Sequence, residues 1–232
     1  MRLDEAKEIL KSNGYLLETR FGNGKDRFNN KINRLKLSDI DDTDDTVDTN
    51  EPITVDHIDE KNYKYYIGKF VNVKGNVKLD NLNLTELPIK FGKVGGHFYC
   101  YWNKLTTLEG APTVVDGNFI CDFNELTSLK GSPKKVKGCF KCSHNKLTSL
   151  EGAPEKIGDY FDCQNNLLTS LEGSPKIVRG SFLCNDNLLT TLKGAPKYVG
   201  KDFWVCHNKA KFTEDDVLDV SDVEDDIFGD VD

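Results

Sequence analysis

The cysteines carry the most chemical potential in this chain. Five of its seven, Cys100, Cys121, Cys142, Cys163 and Cys184, recur every 21 residues. A structural zinc site draws four ligands from converging directions, whereas one column of equivalent positions points its side chains the same way, so the spacing argues for reduced, buried thiols acting as small apolar fillers. Cys139 and Cys206 fall at outward strand positions, where adventitious oxidation is expected. The four histidines, His57, His97, His144 and His207, offer one imaginable nucleophile pair, Cys139 with His144, and nothing that completes a triad. The acidic run from Asp39 to Asp45 resembles a calcium loop but lacks its glycine at position six and its glutamate at twelve. The expectation is a protein that is not an enzyme and needs no metal or cofactor.

What positions these residues is a repeat. Around each cysteine the pattern C-x-x-N-x-L-T-x-L-x-G-x-P-x-x-V-x-G-x-F-x returns column by column. Asn103, Asn124, Asn145, Asn166 and Asn187 follow the cysteines by three, and Leu105, Leu126, Leu147, Leu168 and Leu189 by five. A second leucine column, a proline column from Pro112 to Pro196, and a phenylalanine column from Phe98 to Phe203 complete the unit. Phe and Cys two apart place both side chains on one face of a short strand. Coils stacked at the ~4.8 Å strand spacing then turn every column into a continuous ladder. The asparagines are expected as buried amides bonded to turn backbone, since an unpaired one costs ~1–3 kcal/mol. Gly-x-Pro predicts an extended, polyproline-like return that excludes helix. The repeats degenerate at both ends, where Leu79 and Val205 take the cysteine slot.

The N-x-L strand turn followed by L-T-S-L-E-G-S-P resembles the leucine-rich repeat family over residues 70–212, in its short bacterial and bacteriophage form. That resemblance implies a β-rich solenoid with short parallel strands and a polyproline-like or irregular convex side. It also points to a tailed-phage accessory protein that meets a host factor. The ubiquitin-ligase domain that follows similar repeats in secreted effectors is not expected in the acidic stretch 213–232.

Composition sets the remaining expectations. The net charge of -7 is uneven, because Ser38–Glu60 and Thr213–Asp232 contain neither Lys nor Arg and read as solvated acidic segments. The organisation expected is a helical segment over 1–37, an acidic linker over 38–60, the solenoid with its caps over 61–212, and a short capping helix with an acidic tail over 213–232. Within the first segment a second helix is expected around Arg27 to Leu35, and the aromatic run from Tyr63 to Phe70 is expected to cover the first coil. No run approaches the roughly 20 apolar residues of a membrane span, and the acidic start is unlike a secretory signal, so the cytoplasm is the expected location. Outward strand positions vary from coil to coil while inward ones do not, which makes Tyr99, Tyr101, Ile120, Lys141, Tyr160, Asp162, Leu183 and Trp204 the candidate contacts for a protein partner. Lysines spread around all sides of the coil argue against nucleic acid. A nucleic-acid-associated or acidic-mimic regulator and a structural virion component are the alternatives.

Overall fold

The computed structural model describes residues 46–49, 53–54 and 69–230. The chain divides after residue 45, and all of the first unit lies outside the described residues. The expected N-terminal helices, the calcium-like acidic run and most of the aromatic run from Tyr63 lie there or in the other undescribed stretches.

From residue 46 onward the chain coils so that consecutive rungs pair in parallel and in register. Two nine-stranded sheets result. One contains the phenylalanine strands, from Ile53–Thr54 and Val77–Lys78 through Phe98–Tyr99, Phe119–Ile120, Phe140–Lys141, Phe161–Asp162, Phe182–Leu183 and Phe203–Trp204 to Ile227–Phe228. Across it Phe140 pairs with Phe119 on one side and Phe161 on the other, a 21-residue step each way. The rings follow this register, with centroids 5.1 to 5.7 Å apart from Phe98 to Phe203. Phenylalanine, cysteine and leucine columns from the central repeats are fully buried.

The other sheet corrects an expectation. The return path is not polyproline-like or irregular but a second parallel sheet, running through Thr46–Thr49, Phe70–Val73, Lys90–Val94, Val114–Val115, Lys135–Val136, Lys156–Ile157, Ile177–Val178, Tyr198–Val199 and Asp222–Val223. From Val114–Val115 to Tyr198–Val199 a proline precedes each strand, where its missing N–H interrupts nothing. Ladder bonding resumes on the next residue, Lys134 N–H donating to Thr113 O at 2.9 Å. Val115, Val136, Ile157, Val178 and Val199 point from this sheet into the core. The glycine before each proline turns the chain through positive φ. At Gly152, φ +99°, a Cβ would also meet Leu129 O at 2.5 Å.

The asparagine column behaves as expected and also joins the rungs. Asn124 Nδ2 donates to Cys100 O in the preceding rung and to Cys121 O and Asp122 O in its own, at 3.0 to 3.2 Å. Its Oδ1 accepts from Leu105 N–H at 2.9 Å. The same set recurs at Asn103, Asn145, Asn166, Asn187 and Asn208.

Both acidic stretches supply strands, so they are not wholly solvated linker and tail. Thr46 pairs with Phe70 and Tyr198 with Asp222, each a step of 24 residues. At the C-terminal end the longer step holds the expected helix, Glu214–Leu218. Thr213 caps it, Asp216 completing a reciprocal capping box, and Val217 is its buried residue. The chain then adds one more rung, in which Phe228 stacks on Trp204 at 3.9 Å.

Candidate functional site

The outward positions of the phenylalanine sheet split into a deep polar centre and an aromatic margin. Tyr99, Ile120, Lys141, Leu183 and Trp204 stand half-buried in one outward column, with Tyr101 and Tyr160 half-buried in the columns beside it. Asp162, expected among these contacts, is only 5% exposed. It is the short member of its column, flanked in register by Lys141 and Leu183, whose longer side chains stand a strand spacing away on either side.

Burial, and then the neighbouring Asp122 carboxylate, raise Asp162 to about 6. Asp122 is likewise raised by burial, although Ser143 gives it both a backbone N–H at 2.9 Å and a hydroxyl at 3.0 Å. Between the two carboxyls lies Lys141. Burial works against its ammonium, but a bond to Tyr160 and the two acids outweigh this and hold it above its ordinary value. The ammonium lies 5.1 Å from the centre of the Tyr160 ring. This centre is a buried cluster of two carboxyls about one ammonium.

The column before the phenylalanines is also less free than its variability suggests. Asn76 Oδ1 accepts from His97 N–H at 2.8 Å, His97 Nδ1 from Asn118 N–H at 2.9 Å, and Asn118 Oδ1 from Cys139 N–H at 3.0 Å. At these three positions different residue types serve because each offers an acceptor to the next rung, whereas Ser181 Oγ donates to Asp202 Oδ2 at 3.1 Å.

The aromatic margin forms on the turn after the strand. There the residue two beyond each cysteine is left-handed, φ between 51° and 57° at Asn81, Trp102, Phe123, His144, Asn165, Asp186 and His207. Asn and Asp take this conformation at little cost, because their short polar side chains bond locally. Trp102 and Phe123 do not, yet they occupy it with 58% and 39% of their surface exposed. Trp102 stacks on Phe123 at 4.7 Å, and Phe123 on His144 at 4.2 Å. On the strand beside them His97 leans on Tyr99 at 5.6 Å, and Tyr99 meets Tyr101 edge-on at 6.3 Å. Trp102 and Phe123 lie outside the contact set expected from the sequence. The signal was their place in a column of asparagine, aspartate and histidine.

No family model, curated protein or solved structure matches the chain.

The thiols are engaged in structure. Cys121, Cys142, Cys163 and Cys184 each donate Sγ–H to a carbonyl of the next rung at 3.1 to 3.3 Å, and burial pushes all four well above the ordinary thiol range. Cys139 is buried rather than exposed to oxidation. Its Sγ donates to Asp159 Oδ2 at 3.2 Å, and burial with that carboxylate raises it to about 11. Cys139 and Cys142 stand in C-x-x-C spacing, a pair overlooked in the sequence, but Cys142 bonds to Asp162 O instead of converging with Cys139. His144 is stacked on Phe123, and His207 Nδ1 lies 3.5 Å from Asp186. Among the described residues no group of three or more His, Cys, Asp or Glu is placed to hold a metal ion, and no helix is long and apolar enough to cross a membrane.

Proposed function

We propose that the chain is a non-enzymatic binding module that takes hold of a protein partner through the aromatic margin formed by Trp102, Phe123 and His144 with Tyr99 and Tyr101. The observation that carries this reading is the pair of large exposed rings held at positive φ. A left-handed non-glycine residue costs ~1–2 kcal/mol, and two such positions filled by aromatics, where asparagine or aspartate serves at Asn81, Asn165 and Asp186, spend stability on exposed apolar surface. Trp and Tyr are the types that dominate binding energy at interface centres. Ile120, Leu183 and Trp204 extend the same face toward later rungs. The resemblance to bacteriophage repeat proteins directs the search toward a host protein in the cytoplasm.

The test is the pair Trp102→Asn with Phe123→Asn. Relief of the left-handed strain offsets the lost ring stack, worth ~0.5–1.5 kcal/mol, so stability should change by less than ~1 kcal/mol. Partner capture from the native cell, read by crosslinking and mass spectrometry, should be lost. Capture unchanged in the double variant would refute the reading. So would a stability loss above ~2 kcal/mol, which would make the rings part of the fold.

A further inference from the structure

We propose that the outward face of the return sheet binds the phosphate backbone of a nucleic-acid duplex. The two sheets face each other across the core, so this surface points away from the aromatic margin, and it has the opposite character. Its outward positions stack Lys134, Lys135, Lys156, Arg179 and Lys197 over four consecutive rungs, all exposed. At the ~4.8 Å strand spacing these rungs span about 14 Å, and the strand width adds about 10 Å, enough to face roughly four phosphates of one strand at 3.4 Å per nucleotide. Two carboxylates on this face are already held, Glu155 by Lys176 at 2.8 Å and Asp116 by Lys137 at 2.6 Å. Much of the chain's acid lies in 38–60 and 213–232, whose strands Thr46–Thr49 and Asp222–Val223 form the two edges of this sheet, so the middle is positive and Asp222 and Glu224 border its last basic rung.

The face suits a duplex better than its rivals. Single strands are held by aromatic platforms as well as charge. Over these four rungs the aromatic residue at an outward position is Tyr198, whose hydroxyl donates to Glu224 at 3.2 Å, and the exposed Phe70 lies three rungs away on the same sheet. The apolar side chain at an outward position of these four rungs, Ile177, is half-buried and offers nothing to insert into a bilayer. A rigid array of ammonium and guanidinium groups reads charge without sequence, as backbone contacts do.

The experiment is fluorescence anisotropy of the full chain with a labelled 20-base-pair DNA duplex of arbitrary sequence, across 50–300 mM salt. Four neutralised phosphates give a slope of log affinity against log salt near -3.6. The triple reversal Lys134→Glu, Lys156→Glu, Lys197→Glu should bind at least about fiftyfold more weakly at 100 mM salt with a slope flatter by about three, whereas the exposed Thr148→Ala should bind as the parent does. Lys→Gln changes at the same three positions, with an unchanged melting temperature, provide the same reading if reversal disturbs the fold. Absence of duplex binding at 50 mM salt overturns the proposal, as does equal binding by the triple variants. A preference for single-stranded DNA, heparin or anionic vesicles over duplex overturns the assignment of the partner.

Discussion

Replacing Asp162 with Asn removes a carboxyl that folding withdraws from water in the middle of the phenylalanine sheet. The Lys141 ammonium draws toward it and toward Asp122, yet for the more deeply buried Asp162 this attraction and the Gln164 N–H do not outweigh lost hydration and repulsion from Asp122. A rise from 3.8 to about 6 corresponds to about 3 kcal/mol in favour of the neutral acid. The sign follows from proton uptake. Between about pH 4 and 6 the folded chain keeps a proton that the unfolded chain releases, so this group's contribution to stability falls as pH rises through that window and stays low above it. Asn has the same shape, carries no charge, and retains an Oδ1 to accept from Gln164 N–H. Urea unfolding at pH 4, 5, 6 and 7.5 should find Asp162→Asn and the parent equally stable at pH 4, and the variant more stable by about 2–3 kcal/mol at pH 7.5. Taking the difference between the two proteins cancels the other carboxyls. A difference that stays flat with pH, or a variant less stable at pH 7.5, would show that ionised Asp162 is held by Lys141 as a stabilising pair.

Two further outcomes follow from the rung architecture. Asn166→Ala leaves Leu147 N–H and three carbonyls without their side-chain partner and should cost about 3 kcal/mol in denaturant unfolding, against a near-neutral change for the exposed Thr148→Ala; a cost below about 1 kcal/mol would contradict the bridging role. A small uncharged maleimide should modify only the half-buried Cys206 in the folded protein, the other six thiols reacting on unfolding. Rapid modification of a second thiol before unfolding would contradict the inward cysteine ladder.

The period, the inward columns and the asparagine bonding were legible because stacked copies repeat the same residue at the same place. The second sheet was not. Its strands are two residues long in most rungs, too short to show alternation, and the proline before them reads as a break in sequence although it precedes the pairing. The basic face was hidden for the same reason. Lys134, Lys156 and Lys197 look scattered along the chain and come onto one face only when the return strands register. The final rung was read as a tail because Glu214–Leu218 lengthens the step to 24 residues and interrupts the pattern. Among the candidate contacts, outward placement of Tyr99, Lys141 and Trp204 followed from strand alternation. The burial of Asp162 did not, since it depends on the length of its neighbours' side chains across the sheet.

Because each asparagine ties its own turn to the turn before it, removing a complete 21-residue unit would leave every remaining junction with a full set of partners, whereas removing ten residues would strand an amide and shift every ladder beyond it. Descendants of this chain are therefore free to lengthen or shorten in whole coils, carrying the tryptophan-bearing segment nearer to or farther from either end while its immediate surroundings stay the same.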